Sequence, residues 1–312
     1  MGYSGIGGQA VIEGVMMKNQ EKYAVAVRKP DNEIIVEVSV YDGIIKNKKI
    51  RNIPILRGVI NFVESLLLGM KTLTFSAGFY EEEEKEKPKT AQEEKKEKKK
   101  EDIVTGGMVA VSVALAVAVF VVLPYYLSAF FQRFIDSPLL LTLVEGALRL
   151  LIFISYVTGI SLMPDIRRVY MYHGAEHKCI NCIEQGLDLT PENVKASSRL
   201  HRRCGTSFLL LVMLISIVFF MFIRTDSKII KLVLRLLLVP PIAGVSYEFI
   251  RLAGHSDNKL VSLLSRPGLW LQGLTTKEPD DAMIEVGIAS VEAVFDWKAY
   301  VKKIREERQE MA

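Results

Sequence analysis

The chain has 312 residues, is 50% apolar and has a mean hydropathy of +0.23, yet it carries 40 Lys and Arg against 36 Asp and Glu. Such a mixture describes apolar blocks joined to charged soluble ones, and a net charge of +4 without any basic stripe argues against a nucleic-acid partner. The three cysteines all fall between residues 179 and 204, too few and too close for a disulfide framework, so thiol or metal chemistry in a reducing compartment is expected.

The opening Met1-Gly2-Tyr3-Ser4-Gly5 lacks the basic and apolar regions of a signal peptide, so the internal spans are expected to drive insertion. Residues 1–52 read as a β-rich cytoplasmic segment, with Tyr23 to Arg28 and Glu33 to Val40 as a hairpin around Pro30-Asp31-Asn32. Gly5-Ile6-Gly7-Gly8 precedes no lysine-serine pair, which favours a plain turn and strand over a phosphate cradle. Residues 53–80 are apolar except for a narrow stripe of Arg57, Asn61, Glu64 and Lys71, the pattern of an interfacial or re-entrant amphipathic helix. Residues 81–102 hold ten acidic residues and eight lysines and are expected to be a solvated, disordered linker.

A membrane domain is expected over 103–250, with four spans near 103–127, 139–163, 206–223 and 229–250, each close to the ~20 residues that cross a bilayer. The fold class is therefore a mainly α, polytopic four-helix bundle with a small β-containing N-terminal segment. Loop 164–205 carries seven basic residues, whereas 124–138 carries only Arg133; the positive-inside rule makes the former cytoplasmic, and an even number of spans puts both termini there too. In the C-terminal segment, 251–312, Arg-Pro-Gly-Leu-Trp at 266–270 reads as an interface-anchored loop. An amphipathic helix then opens at Asp280 and Asp281. Within the spans, Glu145 and Arg149 stand one turn apart, and Arg235 lies at the depth of Glu145; an ion-pair network tying spans two and four outweighs a transport path. Pro240-Pro241 and Gly244 imply a kink in the last span.

Tyr172-His173-Gly174-Ala175-Glu176-His177-Lys178 is the segment richest in chemistry. If it is helical, His173 and His177 share a face with Glu176 beside them. Two such imidazoles can grip one Zn²⁺, and the carboxylate can take a proton from a water there or orient a ligand, in the H-x-x-E-H order of some zinc peptidases. Candidates for a third ligand are His201, Cys204 and Glu248. Cys179, Cys182, His201 and Cys204 can instead make a closed Cys₃His site, but one helix continued through residue 182 turns both of its cysteines away from the two histidines.

His-Gly-Ala-Glu-His-Lys at 173–178, Ser-Arg-Leu-His-Arg-Arg-Cys-Gly-Thr-Ser-Phe at 198–208, Gly-Gly-Gln-Ala-Val-Ile-Glu-Gly-Val-Met-Met at 7–17 and Glu-Pro-Asp-Asp-Ala-Met at 278–283 resemble the YqhQ-like family of bacterial membrane proteins, labelled predicted metal-dependent enzymes. The resemblance implies a membrane protein with a suspected metal site at His173, Glu176, His177, His201 and Cys204, and supplies no substrate. Position 179 is usually not cysteine in that family, which favours a His-rich set. The expected function is a zinc-dependent hydrolase at the cytoplasmic face of the bacterial plasma membrane, with Glu176 as general base. A non-catalytic, metal-stabilised scaffold that recruits a protein partner is the alternative, and a small transporter ranks third. The lipid bilayer is the expected partner, with homo-oligomerisation left open.

Overall fold

The computed structural model describes residues 3–80, 104, 106–225, 227–255 and 258–310. The charged segment expected to be a linker lies outside them. Four antiparallel strands open the chain, β1 (Ile6–Val11), β2 (Gly14–Asn19), β3 (Lys22–Arg28) and β4 (Ile34–Val40), paired in chain order. The expected hairpin is β3–β4, and the glycine-rich opening adds two more strands. Its turns are tight because Glu13 and Gln20 take the left-handed conformation, unusual for residues with a Cβ.

Eleven helices follow among the described residues: α1 (Lys48–Arg51), α2 (Leu56–Ala77), α3 (106–133), α4 (Pro138–Ile160), α5 (Pro164–Glu184), α6 (Pro191–Ala196), α7 (Gly205–Phe220), α8 (Lys228–His255), α9 (Lys259–Thr275), α10 (Asp281–Val294) and α11 (Trp297–Glu310). Helices α2, α3, α4 and α8 are long and apolar enough to cross a membrane, by length and composition. Three of the four expected spans are among them, and the remaining one is shorter than expected. The segment expected to span at 206–223 forms the 16-residue α7, roughly 24 Å at the α-helical rise, and α2 meets the length criterion in its place. Helix α8 runs on through Pro240 and Pro241. The 266–270 segment, expected to be a loop, lies inside α9.

The chain forms two compact units: residues 1–80, 157–215 and 237–312 in the first, and 81–156 with 216–236 in the second. In the first, the sheet is covered on both faces. Ile6, Val15, Met17 and Ala26 meet α5 and α10 around Tyr172, Ile180, Met283 and Ile284, while Val11, Met16, Tyr23, Val25 and Val27 meet Leu68 and Phe75 of α2. Each fully buried aliphatic side chain of this kind contributes roughly 1.5–3 kcal/mol. Helix α10 is capped by Asp280, whose carboxylate accepts from Met283 N at 2.8 Å.

In the second unit, Glu145 holds two arginines. Arg149 Nη2 donates to Oε1 at 2.8 Å and Arg235 Nη2 to Oε2 at 2.6 Å, all three side chains being buried. The excess positive charge lies over aromatic rings, with Arg149 4.9 Å from the Phe220 centroid and Arg235 4.9 Å from that of Tyr125. A π-helical turn at Ala118–Val122 interrupts the regular α-helix of α3, and its Phe120 carbonyl accepts from Arg149 Nε at 2.9 Å.

Candidate metal centre

Helix α5 begins with Pro164 at its first position and Asp165 in the first turn, and it ends where Gly186 turns left-handed. From Gly174 to Glu184 every residue is buried, so this helix is covered on all sides and each charge on it needs a partner. Lys178 Nζ has three: the carbonyls of Lys195 and Ser197, each at 2.9 Å, and the Glu278 carboxylate at 3.0 Å. One turn on, Asn181 Nδ2 donates to the Ser198 and Leu200 carbonyls at 2.6 and 2.9 Å. The segment 195–200 is thus stitched by its own backbone to one face of α5, and this delivers Cys204.

His173, His177 and Cys204 converge there, with one donor atom from each within 4.8 Å of the others. His173 Nε2 is 3.2 Å from Cys204 Sγ. Both imidazoles are oriented through their other nitrogen: His173 Nδ1 donates to the Thr275 carbonyl at 2.9 Å and His177 Nδ1 to the Arg199 carbonyl at 2.6 Å. A carbonyl only accepts, so the proton of a neutral ring sits on Nδ1 and the Nε2 lone pair faces inward, as metal-ligating histidines are usually held. Gly174 makes the first of these bonds reachable, because a Cβ at that position would run into the Lys277 carbonyl two residues beyond Thr275.

Electrostatics favour an anionic sulfur. Burial raises the Cys204 thiol, but the two histidines outweigh it and hold Cys204 well below the usual thiol range. Burial alone would lower His173, yet the Cys204 sulfur and then Glu176 push it up to about 9, and His177 is raised for the same reasons. Sulfur and ring nitrogens that favour each other's charged forms in this way are a donor set in which protons and a metal cation compete for the same lone pairs. Tetrahedral zinc, with bonds of about 2.0–2.1 Å to nitrogen and about 2.3 Å to sulfur, needs donors some 3.3–3.7 Å apart, close to the spacing of this set.

The Glu176 carboxylate lies 3.8 Å from His173 Nε2 and 3.7 Å from His177 Nε2, beside the three-donor group and outside it. Its Cγ is backed by Gly8 of β1, where a Cβ would come within 3.0 Å. Glu13, in the same glycine-rich motif, braces the helix through Arg168 at 2.5 Å and the Tyr172 hydroxyl at 3.1 Å.

Two candidate ligands sit elsewhere. His201 Nε2 faces Glu184 Oε2 at 3.4 Å, and its backbone is clamped at both N and O by the Gln272 amide. Its ring centroid is 5.6 Å from that of His177, so it lies behind the donor group. Glu248 is bound by Arg57 and by Ile55 N at 3.2 Å. Cys179 packs against Gly287, and Cys182 Sγ donates to the Asp188 carbonyl at 3.4 Å; because α5 is unbroken, both stay on the side away from the histidines. Sequence reasoning missed Thr275, Arg199, Gln272 and Glu184. The first two act through backbone carbonyls, which no residue pattern reveals.

A family model described as a protein of unknown function, DUF1385, matches residues 53–297. The chain belongs to this family. It is 36% identical over 286 residues to the uncharacterized protein YqhQ of Bacillus subtilis (strain 168), covering 91% of this chain and 90% of the relative. No solved structure matches. The DUF1385 match takes in α5, Cys204 and Thr275, so the whole candidate centre lies within the family region.

Proposed function

We propose that this protein is a zinc-dependent hydrolase working at the cytoplasmic face of the bacterial plasma membrane. The observation that carries the reading is a grouping: three inward donors, two of them oriented by backbone carbonyls, with a buried carboxylate beside the two histidines. Zinc bound there would supply Lewis acidity at a fourth position. His173, His177 and Cys204 would hold it, and Glu176 would take the proton from an attacking water beside them. Access is from the His173 side, whose side chain is 16% exposed where that of His177 is 1%. Seven basic residues between 164 and 205 support the cytoplasmic assignment.

The burial of Glu176 and His177 favours one other reading, a closed structural site in which Glu176 completes the ligand set. Metal content separates the two. For the hydrolase, Glu176→Gln keeps stoichiometric zinc and fails to complement a deletion strain, while His177→Ala loses both. Zinc lost from Glu176→Gln, or full zinc with intact complementation, overturns Glu176 as the base.

A further inference from the structure

A helix on the surface of a water-soluble protein turns its apolar side inward and its polar side out. Two helices of the first unit bury polar side chains among their inward apolar ones and leave further large apolar side chains outside. Along α2, Glu64, Thr72 and Ser76 are buried with Ile60 and Leu68, whereas Leu56, Val63, Leu66, Leu67, Met70 and Leu73 are exposed, interspersed with Ser65, Lys71 and Thr74. On α9 the inner side holds Gly268 against Ser207, Gln272 on the His201 backbone and Thr275 on His173. Its outer side presents Leu263, Leu264 and Trp270, each more than half exposed, with Arg266 and Lys259 at their margin.

We propose that α2 and α9 lie along the bilayer surface with these apolar faces among the lipids, which seats the candidate metal centre at the membrane boundary. Lipid is the occupant that fits. Helix α9 follows within four residues of α8, a helix apolar enough to cross a membrane, and it carries an exposed tryptophan with Arg266 one turn before it, the composition of an interfacial helix that meets anionic headgroups. Helix α2 is also long enough to cross, but its inner face is tied to polar groups. Gln9 Nε2 donates to Thr72 Oγ1 at 2.7 Å, Ile12 N to Ser76 Oγ at 3.0 Å and Ile44 N to Glu64 Oε1 at 2.8 Å. Crossing would carry an open-edged sheet, with Lys29, Asp31 and Glu33 on its turn, into hydrocarbon that cannot solvate them. At the α-helical rise its 22 residues instead cover about 33 Å of membrane surface. The proposal does not depend on the metal, because Thr275 and Gln272 hold their partners in its absence.

Brominated phospholipids test it in the full chain reconstituted into phosphatidylglycerol-containing vesicles. Trp297→Phe leaves Trp270 as the only tryptophan. Its fluorescence should be lost more strongly to bromines near the headgroup than to bromines deep in the acyl chain. Trp270→Phe leaves Trp297 on the soluble helix α11, which should keep its emission. Leu67→Trp in a chain lacking both native tryptophans should repeat the shallow pattern for α2. Failure of either lipid to quench Trp270 would mean that water or protein covers α9. Stronger deep quenching at position 67 would mean that α2 crosses the bilayer, and equal quenching of Trp297 would mean that the wrong face has been assigned to lipid; each of these results overturns the proposal.

Discussion

Glu184 shows at the scale of one residue how a neighbour decides whether a histidine is a ligand. It stands at the end of α5, where Ser4 donates to it from N at 2.9 Å and from Oγ at 2.7 Å, Arg203 pairs with it, and His201 faces its other oxygen. Burial raises this carboxyl, but His201, Arg203 and Ser4 together bring it down to about 2. A folded-state value below the ordinary 4.5 stabilises the protein at every pH above about 4.5, and that contribution is lost as pH falls from there through 2. The difference corresponds to about 3 kcal/mol as an upper figure. Glu184→Gln should therefore unfold more readily at neutral pH and lose part of the wild-type acid transition between about pH 4.5 and pH 2. Tryptophan and tyrosine emission followed through acid titration checks this, and an unchanged acid limb in Glu184→Gln would refute it. The same contacts explain why His201, chemically as good a ligand as His177, is not among the donors: its ring is already committed to a carboxylate that the sequence places 17 positions away.

At the scale of elements, α5 was the legible part, since the spacing of His173, Glu176 and His177 specifies a shared helical face whatever surrounds it. Apolar length likewise revealed α3, α4 and α8, and the paired aspartates marked the start of α10. Less of the sheet could be read, because its first two turns place Glu13 and Gln20 in a conformation that composition does not predict, and because glycine-rich β1 lacks a strand signature. Glu248 is a candidate ligand by sequence because nothing there reveals its partner; Arg57 of α2 pairs with it across to α8. Glycine 174 links helix packing to the centre. Gly174→Ala would force the segment around Lys277 away from α5, at an overpacking cost of about 1–3 kcal/mol, and would draw the Thr275 carbonyl from His173 Nδ1. Expected results are a lowered unfolding temperature and reduced zinc stoichiometry together. A destabilised protein that still binds full zinc would show that Thr275 does not govern His173.

At the scale of the whole chain, the orientation rests on how many helices cross. If α3, α4, α7 and α8 cross while α2 stays on the surface, the sheet, the His-bearing helix and the C-terminal helices share one side, and the seven basic residues of 164–205 predict, by the positive-inside rule, that this side faces the cytoplasm. The native thiols make poor reporters, because Cys179, Cys182 and Cys204 are all buried. Exposed positions serve instead: Glu33 on the β3–β4 turn, Glu192 on α6 and Ser227 just before α8. In intact cells a membrane-impermeant maleimide should modify Ser227→Cys and reach Glu33→Cys and Glu192→Cys only after lysis. Labelling of Glu192→Cys from outside would invert the assignment and place the centre on the outer face, where a reduced Cys204 is harder to keep. Labelling of Glu33→Cys alone would have a different meaning: α2 would have to cross, the sheet would be separated by a bilayer from the helix it packs against, and the bonds that join Glu13 to Arg168 and Tyr172 of α5 could not exist. Since those contacts form part of one hydrophobic core with Ile6, Met17 and Ile180, protection of both positions together is the expected result.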